Sequence, residues 1–206
     1  MMKIFAHRAI FNSKENTIDG IKFYAKNMIN IELDLRKNNE LYLAHEQNEK
    51  GDSFKEACKI FKNSNIQVAL HIKEFKIVSE LQKILKEYSL EQKCFLFMDD
   101  VKYQQLRKII SDNIEVATYM NKKNYSESKI IWCDELKEKW FNKKLISEFQ
   151  KKGKELIAIS PELISSVDMN QIKKKWEYLV EFGFNGICTD YPIELKKWIK
   201  LTGGIN

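Results

Sequence analysis

Eight short apolar runs, rich in β-branched and aromatic residues, recur along this chain, and longer stretches with helical spacing fall between most of them. The runs are Lys3–Ala6, Asn30–Leu35, Gln67–Ile72, Cys94–Met98, Glu115–Tyr119, Lys129–Cys133, Glu155–Ile159 and Gly186–Thr189. The helical stretches include Thr17–Lys26, Phe54–Lys62, Lys76–Tyr88, Tyr103–Ser111, Lys143–Lys152 and Met169–Phe182, with Asn16 placed to cap the first. Strands joined through helices pair in parallel, because only a crossover of that length returns the chain in the same direction. Eight such units predict a TIM-type (β/α)8 barrel, an α/β fold, as a single domain over residues 1–206. The chain is short against the ~250 residues typical of that fold, so its loops must be lean, and the polar segment Lys122–Ser128 is too short for a full helix. A ninth run, Leu41–Ala44, follows a polar Asn38-Asn39 turn and predicts a small strand inserted after the second barrel strand. A doubly wound open sheet is the rival architecture; it too would place a ligand at the strand ends.

Composition narrows the classes. A hydrophobic fraction of 44% with 12% aromatic residues supports a buried core and argues against disorder. No apolar run approaches the ~20 residues that span a bilayer, so no stable membrane anchor is expected. The first residues read as a strand rather than a secretory signal, which predicts a cytoplasmic protein. Cys58, Cys94, Cys133 and Cys188 are widely spaced, form no CxxC pair, and are expected as buried thiols. The net charge of +6 comes from lysines scattered along helical faces. That pattern is unlike a nucleic-acid groove but favours encounter with a small anionic substrate.

The chain holds three histidines, His7, His45 and His71, each at or just past the C-terminal end of a predicted strand. In a parallel barrel those ends converge on one mouth. Glu32 and Asp34 stand two apart on one strand and so share a face, with Ile31, Leu33 and Leu35 on the other. Paired carboxylates inside a barrel are costly unless a cation or base meets them, which points to a divalent-metal site with oxygen ligands. The bland reading is a strand with one wet, charged face. Trp132, Trp140, Trp176 and Trp198 read as packing residues.

Ala6-His-Arg-Ala, then Glu15-Asn-Thr, Ile31-Glu-Leu-Asp-Leu and Leu43-Ala-His-Glu resemble, in order and spacing, the HRG, ENT, E-x-D and HD motifs of the glycerophosphodiester phosphodiesterase family. Gly183-Phe-Asn-Gly-Ile-Cys-Thr-Asp-Tyr-Pro resembles that family's last strand, and Ala69-Leu-His-Ile-Lys its E-I-K strand. The resemblance is specific in the first 46 residues and at Gly186–Pro192, and weak from about Phe75 to Val180.

The resemblance implies a barrel that cleaves small-molecule phosphodiesters with bound Mg²⁺ or Ca²⁺. His7 and His45 would be the acid/base pair, Glu32 and Asp34 metal ligands, Arg8 and Lys73 phosphate holders, and Glu15 a support for the metal or its water. Three departures stand out. Ala9 replaces the usual glycine, and Glu46 the usual aspartate. His71 stands where the family places a third metal-binding glutamate. An imidazole ligand suits Mn²⁺, Fe²⁺, Ni²⁺ or Zn²⁺ better than Ca²⁺. Asp99, Asp100 and Glu162 could supply a compensating oxygen, whereas Glu74 falls on the opposite strand face.

If the nucleophile is a neighbouring hydroxyl of the substrate, a cyclic phosphate forms first and water opens it later. The alternatives are a catalytically impaired phosphate-binding barrel, a phosphodiesterase for a nucleotide-linked or polysaccharide-precursor polyol phosphate, and an aldolase- or isomerase-like barrel using Lys73 as a Schiff-base lysine.

Overall fold

The first strand, β1 (Lys3–Ala6), hydrogen-bonds in parallel on both sides, to β2 (Asn30–Lys37) and to β10 (Gly186–Thr189), in the computed structural model. The model describes residues 2–47, 50–99, 103–120, 127–135 and 141–203. Between those two neighbours the sheet continues in parallel through β5 (Val68–Ile72), β6 (Cys94–Phe97), β7 (Glu115–Met120), β8 (Ile130–Cys133) and β9 (Glu155–Ile159). The ring of eight is therefore closed, a TIM-type barrel rather than an open doubly wound sheet. The run at 41–44 forms β3 (Leu41–Leu43), antiparallel to the projecting end of β2, and a further short strand, β4 (Asp52–Ser53), pairs with it. The insertion is thus two strands outside the ring.

Six helices fall within the stretches that the sequence spacing predicts: α1 (Ile18–Lys26), α2 (Phe54–Lys62), α3 (Val78–Glu87), α4 (Tyr103–Arg107), α5 (Lys143–Lys151) and α6 (Met169–Glu181); α7 (Pro192–Thr202), which the spacing did not single out, follows β10. Helix α7 follows Tyr191 with Pro192 at its first position, where a missing N–H costs nothing. Residues 121–126, most of the predicted short connection between β7 and β8, lie outside the described residues, as do Asp100 and Trp140.

Strand parity divides the interior. Ile31, Leu33 and Leu35 face the helices with Leu70, Ile72 and Leu96, while Phe5, Ala69, Phe95, Phe97, Ile130, Trp132 and Ile157 fill the barrel. Trp176, on α6, is fully buried in a second outer cluster with Ile146 and Phe149 of α5 and Leu195 of α7. The four cysteines are buried and unbridged.

One local expectation is corrected. Thr17, not Asn16, caps α1, its Oγ1 accepting from the Gly20 amide at 3.2 Å. Asn16 is held in the left-handed region, at φ 56°, which turns its side chain inward instead. Gly20 is required by close approach, since a Cβ there would lie 2.1 Å from the Ala9 carbonyl oxygen.

Candidate active site

The mouth at the C-terminal ends of the strands holds a cavity of about 180 Å³, lined by His7, Arg8, Glu32, Asp34, His45 and His71 together with Lys73 and Asp99. Seven of the eight site residues read from the sequence therefore share one pocket. The eighth, Glu15, reaches outward to the Arg8 guanidinium at 3.0 Å and does not join the carboxylate cluster.

The loop after β1 builds one wall. Arg8 and Ala9 both take left-handed backbone, at φ 48° and 47°. This aims the Arg8 amide at Glu32 Oε2, 3.0 Å away. Ala9, where the family motif has glycine, holds a conformation that costs a residue with a Cβ about 1–2 kcal/mol.

On β2, Glu32 and Asp34 are 3% and 1% exposed. Asp34 is held by Asn16 on two sides: Asn16 Nδ2 donates to Oδ2 at 3.2 Å and the Asp34 amide donates to Asn16 Oδ1 at 3.1 Å. Lys73 Nζ approaches Asp34 Oδ1 at 2.9 Å, and Arg8 Nε lies 3.2 Å from Oδ2. Burial would raise the Asp34 pKa, but the His71 and Lys73 contacts outweigh it and hold the carboxyl well below the usual range. Glu32 moves the other way, pushed up by burial and by the neighbouring Asp34 charge.

His71, on β5 beside Asp34, points Nδ1 into this cluster, 3.1 Å from Asp34 Oδ1 and 3.9 Å from Glu32 Oε1. Its Nε2 is 2.8 Å from Asp99 Oδ1, and its ring stacks on Phe97, which stacks in turn on Trp132. Burial disfavours the charged ring, but Asp34 and Asp99 prevail over it and over Lys73, raising the pKa to about 9. Adjacent ligands around an ion bound at about 2.0–2.3 Å stand roughly 3 Å apart. One atom each from Glu32, Asp34 and His71 lies within 4.8 Å of the others, a spacing and donor set that suit a small divalent cation.

The two remaining histidines are each tied to a carboxylate through Nδ1. His7 meets Asp190 Oδ1 at 2.7 Å, and His45 meets Glu46 Oε1 at 2.7 Å. A carboxylate accepts, so in the neutral ring Nδ1 carries the hydrogen and Nε2 is the basic nitrogen. His45 does not follow a ring strand. It follows β3, which runs back along the projecting β2, and Arg36 Nε fixes it by donating to the His45 carbonyl at 2.8 Å.

Sequence reasoning did not single out Asp190 or the inward role of Asn16, although both lie inside the quoted motifs. Glu162, considered there as a spare metal oxygen, instead serves the end of β10, accepting from Ser160, Thr189 and the Asp190 amide. Glu74 lies off the site, paired with Lys76 and Arg36. Cys188 lines the pocket, but burial pushes its thiol far above the ordinary value, so it offers no thiolate.

No family model matches the sequence, and no curated protein matches it. Among solved structures, a protein of Galdieria sulphuraria assigned to the glycerophosphodiester phosphodiesterases superposes with a TM-score of 0.79 at 15% identity, covering 97% of this chain and 98% of that one. A glycerophosphoryl diester phosphodiesterase of Parabacteroides distasonis gives 0.76 at 12% identity over 97% and 86%. That of Agrobacterium tumefaciens gives 0.72 at 14% over 97% and 100%. A barrel of other chemistry, the N-(5'-phosphoribosyl)anthranilate isomerase of Pyrococcus furiosus, scores 0.55 at 11% identity. The chain therefore has the fold of the solved glycerophosphodiester phosphodiesterases, the family whose motifs its sequence resembles.

Proposed function

We propose that this protein is a metal-dependent phosphodiesterase acting on glycerophosphodiester-like substrates. The observation that carries the reading is the meeting of two carboxylate-tethered histidines, His7 and His45, in one pocket with Glu32, Asp34 and His71.

Glu32, Asp34 and His71 are the residues that would hold the cation, with Mg²⁺ or Ca²⁺ as the family default and Mn²⁺ or Zn²⁺ favoured by the imidazole. When bound, such an ion draws charge from a non-bridging phosphate oxygen. Arg8 and Lys73 add fixed positive charge at the same wall. One imidazole takes the proton of the attacking hydroxyl or water through Nε2 as the new P–O bond forms. The other, protonated, gives its Nε2 hydrogen to the alcohol oxygen as the old P–O bond breaks. Asp190 and Glu46 keep each ring in the tautomer and orientation these transfers need. An adjacent substrate hydroxyl as nucleophile would yield a cyclic phosphate first. Lys73 Nζ is paired with Asp34 Oδ1 at 2.9 Å, which speaks against a Schiff-base role.

The test is to strip the protein with chelator, restore Mg²⁺, Ca²⁺, Mn²⁺, Co²⁺ or Zn²⁺ singly, and assay glycerophosphocholine and bis-p-nitrophenyl phosphate. Turnover restored by one ion supports the reading. Absence of both turnover and ion binding favours the catalytically impaired phosphate-binding barrel.

A further inference from the structure

We infer that Glu162 is a positioning residue for His7, acting through Asp190, and that Ser160 and Trp176 complete the brace. This rests on the acid/base role proposed for His7, but the brace itself can be judged without turnover.

Glu162 sits on the single 3-10 turn Pro161–Leu163 that follows β9. Its carboxylate reaches sideways to the neighbouring strand end. Oε1 accepts from Thr189 Oγ1 and from the Asp190 amide, the latter at 3.1 Å. Oε2 accepts from Ser160 Oγ. Trp176 Nε1 donates to Ser160 Oγ at 2.8 Å, which leaves the Ser160 hydrogen available for Glu162 Oε2. The Tyr191 amide donates to Thr189 Oγ1 at 3.1 Å, which leaves the Thr189 hydrogen available for Glu162 Oε1. With the Asp190 amide, three donors converge on the Glu162 carboxylate.

Ser160, Thr189 and Trp176 are fully buried, and the Ser160 amide is tied to the Cys188 carbonyl at 2.8 Å. The brace therefore stands on rigid parts. Its free end is the Asp190 backbone, whose placement sets Asp190 Oδ1 at 2.7 Å from His7 Nδ1. Purely structural capping of β10 would need only the amide and hydroxyl contacts; the position of the clamp, one residue from the carboxylate that holds a mouth histidine, is what makes it functional.

The experiment compares wild type with Glu162→Ala, Glu162→Gln, Asp190→Ala and the Glu162→Ala/Asp190→Ala pair. Side-chain ¹⁵N spectra of the three histidines report the His7 tautomer directly. The expected result is a single Nδ1–H form in wild type and a mixture with the Nε2–H form in Glu162→Ala, with a smaller change in the same direction in Glu162→Gln. In turnover, Glu162→Ala should lower kcat by roughly 10-fold or more, since a misplacement of about 1 Å can cost on the order of 10²-fold, while KM stays within about 3-fold. The paired variant should be no slower than Asp190→Ala alone, because Glu162 acts only through Asp190. Unchanged His7 signals in both Glu162 variants, or losses that multiply in the paired variant, would overturn the inference. If Glu162→Ala does not fold, Glu162→Gln carries the spectral comparison. A wild type without phosphodiester turnover would sink the proposed function, whereas the ring spectra would still decide the brace.

Discussion

On the β1–β2–β5 side of the barrel, the mouth is lined by His7, Arg8, Glu32, Asp34, His71 and Lys73; on the β6–β9 side it is lined by Phe97, Trp132 and Ile159, with Asp99 and Asp134 only just past the ends of β6 and β8. Both sides use the same backbone and the same alternation of faces. They differ in what balances burial. The aromatic side gains by leaving water, and its rings stack at 4.6 Å. The polar side must find a partner for each buried charge, and it finds them at long sequence separation: Asn16 and Arg8 from one loop, Lys73 from the neighbouring strand. His71 joins the two halves, with Asp34 at its edge and Phe97 on its face.

Removing a keystone from either half should be costly for different reasons. Asp34→Asn leaves Lys73 and Arg8 without their buried counter-charge and should destabilise the metal-free protein by about 3–5 kcal/mol. It should also abolish divalent-ion binding, read by denaturant titration and calorimetry. Trp132→Ala should lose about 3–5 kcal/mol through the cavity it leaves, while ion binding persists. If Trp132→Ala removes ion binding as thoroughly as Asp34→Asn does, the two halves are not separable.

Next in size is Asn16→Ala, which strips Asp34 of a donor and its amide of an acceptor. A loss of about 1–3 kcal/mol is expected, well above the few tenths that would follow from a mere surface change. Metal-free stability should also depend on pH through His71. Its folded pKa of about 9 lies above the ordinary 6.5, so its contribution is complete below about 6.5 and is lost as pH rises through about 9. Denaturant midpoints from pH 6 to pH 10 should fall in wild type and stay flatter in His71→Gln. The smallest effect belongs to Ala9→Gly. Relief of left-handed strain and loss of a buried methyl should nearly cancel, leaving stability within about 1 kcal/mol of wild type.

The same contrast explains what could be read before the structure. The strands β1, β9 and β10 and the helix α2 lie within the bounds their apolar patterns predict, because ring strands buried on both faces leave an unbroken apolar signature. The shared face of Glu32 and Asp34 follows from parity alone. Asn16, Asp190 and Glu162 were opaque in these roles, since each matters through contacts that only the closed ring creates. The one local hint was an asparagine in a loop, a residue type that tolerates left-handed backbone and so need not cap the following helix. The insertion at 41–44 was legible from the polar Asn38-Asn39 turn before it; its partner β4 and the antiparallel pairing on β2 that carries His45 back to the mouth were not.

The measurement that tests the account most directly is steady-state turnover of glycerophosphocholine by the metal-loaded wild type, His7→Ala and His45→Ala. The account predicts that each variant loses at least about 10²-fold in kcat, with ion binding and folding retained. Near-wild-type kcat in either variant would contradict it.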